Sequence, residues 1–170
     1  MASESAYRVT EVQLALEIRS WKFGFIAVDG CRLLEWGNCR FGAGEATGLI
    51  RKFVFLLKTY APAVVITRTT RHANHPSSRT ATQLFQKLRK EAKARSVRFV
   101  ILNRADVQRY FRKQGCKNKN GIGEIIGAHF QQLSHVTPKA RKLWDNEPNM
   151  VAVFDAAATA IAFDGLKARQ

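Results

Sequence analysis

The pair Asp29-Gly30 constrains this chain more than any other feature. It stands between two apolar, β-compatible runs, residues 22–28 before it and 31–36 after it. An Asp-Gly pair in that setting closes a two-residue hairpin, because both turn positions accept positive φ. The return strand continues toward Phe41. Leu14-Ala15-Leu16-Glu17-Ile18, ahead of a short polar break at 19–21, reads as a third strand of the same meander. Three antiparallel strands therefore open the domain.

The pattern then changes period. Gly42-Ala43-Gly44 ends the meander, and 45–60 predicts a helix with Leu49, Ile50, Phe53, Val54 and Leu57 at helical spacing. Pro62 leads into Ala63-Val64-Val65-Ile66, an apolar run without alternation, as expected for a strand covered on both faces. A polar loop over 68–78 gives way to a helix with Ala81, Leu84, Phe85, Leu88 and Ala92 in one stripe. Residues 97–102 read as a fifth strand, and Asn103 caps a short helix over 104–111. A basic, turn-rich loop spans 115–121, a helix 122–133, and an irregular stretch 134–148. An Ala-rich helix over 150–166 follows, with Val153, Phe154, Ala157, Ile161 and Ala162 on its packing side. The order β-β-β-α-β-α-β-α-α-α predicts an α/β domain, a mixed five-stranded sheet with helices on both faces. No internal repeat or linker divides the chain, so 1–170 reads as one domain with a short polar N-terminal tail over about 1–11.

Charge narrows the partners. Lys and Arg total 28 against 13 Asp and Glu, a formal net charge of +15. Nine of these cations fall between Arg68 and Arg98 beside one acid, Glu91, and six more between Arg104 and Lys119 beside Asp106. A solvated helix face usually mixes signs; a single-sign surface of this extent attracts a polyanion and suits contact with nucleic-acid backbone. The candidate contacts are Arg68, Arg71, Arg79, Lys87, Arg89, Lys90, Lys93, Lys117 and Lys119. Tyr110 and Phe111 are open to either stacking on a base or filling the core. Apolar runs fall far short of the ~20 residues a membrane span needs. With no signal-peptide pattern and three cysteines that cannot all pair, reduced thiols in the cytoplasm are expected.

Four pieces together resemble RuvC-type Holliday-junction resolvases, within the ribonuclease H-like fold. They are an acid in the first strand with a Gly on the second (Leu16-Glu17-Ile18, Phe23-Gly24-Phe25), and a proline before the fourth strand (Ala61-Pro62-Ala63-Val64-Val65-Ile66). A basic loop and helix follow that strand, and a last helix contains Phe154-Asp155-Ala156-Ala157-Ala158-Thr159. The likeness covers roughly residues 12 to 165. It implies a metal-dependent endonuclease of branched DNA, acting as a homodimer with Mg²⁺ or Mn²⁺ held by Glu17 and Asp155. Where that family carries a glutamate at the end of the fourth strand, this sequence is read as having Thr67. Where the family's last helix carries a second acid, this one has Ala152 and Ala158 around Asp155.

Hard divalent cations take oxygen ligands, and two ions about 4 Å apart would align water and leaving group in phosphodiester hydrolysis. Glu17 and Asp155 suit one such ion. Glu124 and Glu147 (or Asp145) are candidates for a third carboxylate. Against this, Glu17 has the reading of a solvated strand residue, and Asp155 that of a helix cap. Thr67, Arg68, Thr69, Thr70 and Arg71 suit phosphate contact. The alternative to a nuclease is a catalytically degenerate relative that binds structured DNA or RNA without cleaving it.

Overall fold

The computed structural model describes residues 11–19, 22–41, 46–69, 77–136 and 150–168; for residues 22 and 77–81 it describes the backbone alone. Its strands are β1 (Val12–Arg19), β2 (Lys22–Asp29), β3 (Arg32–Arg40), β4 (Val64–Arg68) and β5 (Arg98–Leu102). Its helices are α1 (Ala46–Tyr60), α2 (Ser77–Lys93), α3 (Arg104–Lys113), α4 (Lys119–His129) and α5 (Val151–Lys167), with a 3-10 helix at Gln131–Val136. The strands make one sheet in the order β3-β2-β1-β4-β5. The first three are antiparallel, and β1, β4 and β5 run parallel. The expected mixed five-stranded architecture is present, but the hairpin turn falls one residue later than expected, on Gly30 and Cys31: Asp29 still pairs with Arg32, and only Gly30 takes a positive φ, +59°.

Strand alternation sorts side chains onto two faces. Leu14, Leu16, Ile18, Phe23, Phe25, Ala27 and Val65 pack with Leu49, Phe53, Leu56 and Leu57 of α1 and Leu88 and Ala92 of α2. Ala15, Ile26 and Val28 face the other way, onto α5, with Val107 and Phe111 of α3 and Ile126 of α4 completing that layer. Each face of the sheet thus has its own apolar layer, which is why β4 shows no hydrophobic alternation.

α5 is the central helix. Its residues from Val151 to Phe163 are all buried, so the expected one-sided stripe widens to the whole circumference. Small side chains let it lie close to the sheet. A Cβ on Gly24 would collide with the backbone and Cβ of Ala152, so only glycine on β2 admits this approach. Gly24 pairs across β1 with Glu17, and the close contact therefore sets α5 down beside that carboxylate.

Three expected boundaries shift. β4 runs to Arg68 instead of ending at Ile66, because its ladder with β5 continues through Arg68 opposite Leu102. α4 begins at Lys119, because the Asn118 side chain accepts a hydrogen bond from the Gly121 amide and caps it. The helix stops at His129, and residues 131–136 form the 3-10 helix where continued α-helix and then irregular chain were expected. Asn103 caps α3 as anticipated, its side chain accepting from the Ala105 amide.

Candidate functional site

Along β1, Gln13, Ala15, Glu17 and Arg19 share the α5 face; along β4, Val64, Ile66 and Arg68 share it, with Ala15 opposite Ile66. Continuing that register brings Arg68 beside Glu17. The side chain that β4 sends into the site is therefore Arg68. Thr67 faces the opposite layer, fully buried, and its hydroxyl has no hydrogen-bond partner among the described residues. The placing of Thr67 in the site is corrected by this alternation.

Arg68 makes a fork to Glu17, Nε donating to Oε2 at 2.8 Å and Nη2 to Oε1 at 2.9 Å. The same Nη2 lies 2.6 Å from Oδ2 of Asp155. Arg19 also donates to Oδ2 of Asp155, and its Nε stands 3.7 Å from Oε1 of Glu17. Glu17, Asp155 and Arg68 are 7%, 6% and 6% exposed, so the charges are held nearly out of water. Burial opposes the charged form of Arg68. The hydrogen bond and charge of Glu17, then those of Asp155, outweigh it and hold the guanidinium pKa above its ordinary value. Two carboxylates and two guanidinium groups make a cluster of zero net charge.

The solvated reading of Glu17 and the capping reading of Asp155 both fail here. Asp155 lies one turn inside α5, beyond the helix N-terminus at Met150 and Val151, and its backbone carbonyl accepts from the Thr159 hydroxyl. The expectation that Arg68 contacts phosphate is likewise corrected, since its donors are turned inward to carboxylates. Glu124 is exposed on α4, away from the cluster. Its charge, after burial, helps push up the pKa of the Cys116 thiol. Glu147, Asp145, Thr70 and Arg71 lie outside the described residues.

A divalent ion does not fit the cluster as it stands. An Mg²⁺ or Mn²⁺ ion needs oxygen ligands at roughly 2.0–2.2 Å, and the oxygens of Glu17 and Asp155 that face one another are already bridged by a nitrogen cation. Adding two positive charges to a buried, neutral group would also leave them uncompensated. Among the described residues no three His, Cys, Asp or Glu side chains gather as a ligand set. No local signal in the sequence marks Arg19 or the inward role of Arg68. Counting by twos from Glu17 and from Ile66 would have placed both on the site's face.

The other expected cations sit elsewhere. Lys87, Arg89, Lys90 and Lys93 are exposed on α2, opposite its buried Leu88 and Ala92. Arg79 is on the same helix, its side chain outside the description. Lys117 is exposed in the loop before α4, and Lys119 is exposed in that helix's first turn. Where β5 begins, an open cavity of about 380 Å³ is lined by Arg89, Lys93, Ser96, Val97, Arg98 and Phe99. Arg98 crosses to the α5 side, its guanidinium 5.7 Å from the centre of the Phe163 ring. Tyr110 and Phe111 belong to the core: they pack edge to face, and Tyr110 rests against Gly165 of α5. Cys31, Cys39 and Cys116 are free thiols. No helix among the described residues is long and apolar enough to cross a membrane.

No protein-family model and no curated protein matches this sequence. Solved structures do match. RuvC of Thermus thermophilus, in complex with a Holliday-junction substrate, superposes with a TM-score of 0.68 at 14% identity, over 94% of this chain and 95% of that one. The yeast mitochondrial Holliday-junction resolvase Ydc2 gives 0.64 at 13% identity, over 94% and 80% of the two chains. The fowlpox virus resolvase, with Holliday-junction DNA, gives 0.54 at 12% identity, over 91% and 98%. Identities this low speak for the fold alone, and the mixed five-stranded sheet with helices on both faces agrees with it: the chain has the ribonuclease H-like fold in the form taken by RuvC-type Holliday-junction resolvases.

Proposed function

We propose that this protein binds branched DNA and holds it without hydrolysing the phosphodiester backbone. One observation carries the reading: both carboxylates that would serve hydrolysis in this fold, Glu17 and Asp155, are engaged by Arg68 and Arg19. Of the two functions expected from the sequence, the metal-dependent endonuclease needs those oxygens free; the non-cleaving binder does not. The cations exposed on α2 and around the β5 cavity support backbone contact, for which position on the surface matters and base sequence does not. Branched DNA is favoured over other polyanions because the solved structures sharing the fold include resolvases bound to Holliday junctions.

The test is an assay of labelled four-way junctions with Mg²⁺ or Mn²⁺, beside linear duplex and single strands. Retarded junctions with every strand intact are expected. Junction nicks made by the wild type and absent with Glu17→Gln would restore the nuclease and refute the proposal. No retardation of any DNA, even at low salt, would remove nucleic acid as the partner.

A further inference from the structure

Two buried carboxylates face one another across a point that a cation must fill. Glu17 comes from β1 and Asp155 from α5, and both carboxylates are more than nine-tenths buried. Two anions brought together out of water repel one another unless positive charge lies between them. Here Nη2 of Arg68 lies between them, 2.9 Å from one carboxylate and 2.6 Å from the other. Bridging oxygens of two carboxylates from separate elements is also how a hard divalent ion is held. The charge agrees as well, since Arg68 and Arg19 together carry the +2 of a single such ion.

We propose that the Arg68 guanidinium is the resident cation of this site. It takes the seat a divalent metal ion would occupy between Glu17 and Asp155, ties β1, β4 and α5 together there, and keeps metal out. The inference goes beyond DNA binding and does not depend on it. A planar fork suits the seat because it satisfies both oxygens of Glu17 while its remaining N–H reaches Asp155. Removing it while leaving the carboxylates should empty the seat and make the fold hungry for a divalent ion.

The experiment is thermal unfolding of the full chain with EDTA, Mg²⁺ or Mn²⁺, for wild type, Arg68→Ala and Glu17→Gln/Arg68→Ala, together with calorimetric titration of Mn²⁺. Wild type should unfold at the same temperature in every condition and take up no ion. Arg68→Ala should lose on the order of 10 °C in EDTA, recover at least half of that in Mn²⁺, and bind a single ion. The double variant should show neither recovery nor binding. If Arg68→Ala does not fold in EDTA, its yield on refolding with and without Mn²⁺ reads the same effect. Arg68→Gln, uncharged but still a donor, provides a second variant. Wild type that gains stability from Mn²⁺ through Glu17 would overturn the proposal. So would a pair of variants, Arg68→Ala and Arg68→Gln, that neither bind Mn²⁺ nor respond to it. These outcomes are read without DNA, so they stand apart from the junction assay.

Discussion

At one end of the sheet, where β1 and β4 finish, Arg19 and Arg68 lie against two carboxylates beneath α5. At the other, where β5 begins, Arg89, Lys93 and Arg98 line an open cavity, and none of the three has a carboxylate partner among the described residues. The chemistry of the side chains is the same; the surroundings differ. A guanidinium out of water is tied to its counter-ions and contributes to holding elements together, whereas a hydrated one adds almost nothing to stability and stays available to a polyanion. Net charge alone does not locate a binding surface. Two arginines on the α5 face of the sheet are engaged internally by carboxylates.

The sharpest way to break this contrast is to remove one charge at each end. Glu17→Leu leaves Arg68 buried without its fork partner and should cost about 3–5 kcal/mol in urea unfolding. Arg89→Ala should stay within about 0.5 kcal/mol of wild type. Equal losses would erase the distinction. Next, Gly24→Ala forces Ala152 and α5 off the sheet and should cost about 1–3 kcal/mol; an unchanged midpoint in the same titration would show that α5 is not seated by that glycine. For the open end, reversing Arg89, Lys90 and Lys93 to Glu should weaken junction binding by at least on the order of tenfold at moderate salt and flatten its salt dependence. Electrophoretic retardation across a salt series measures this, and unaltered affinity in a folded variant would clear α2 of the contact. The last expected effect has the opposite sign: Thr67→Val removes a buried hydroxyl that has no partner among the described residues and should raise stability by on the order of 1 kcal/mol. A loss instead would mean that the hydroxyl is satisfied.

Much of the fold was legible because local signals carry it. The Asp-Gly pair locates a hairpin whatever lies far away, though the turn itself uses Gly30 and Cys31; Asn103 caps its helix with its own side chain, and the apolar stripe of α2 follows from its period. The acids Glu17 and Asp155 stood out because a carboxylate amid apolar neighbours needs a reason. What stayed hidden was pairing across the chain. Arg68 looks like one more cation at the edge of a basic loop until β4 is seen to continue to it and the register puts it beside Glu17, 51 residues earlier in sequence. Arg19 likewise acts on a residue 136 positions away. The complete burial of α5 was also obscured, because a helix covered all round has no hydrophobic period to read.

That burial has a consequence for how the chain reaches its final state. All five strands precede α5 in the sequence, yet α5 lies against β1, β2, β3 and β4 on one face of the sheet they make. Until residues 151–167 arrive, Ala15, Ile26 and Val28 face solvent, and Glu17 and Arg68 remain hydrated. Docking of this helix then covers the apolar face and strips water from the charges in one event, through contacts far apart in sequence, which slow folding. A nascent chain paused before that helix would present a bare, sticky sheet bordered by half of its ion pairs, an assembly intermediate whose hazard is association with its own copies.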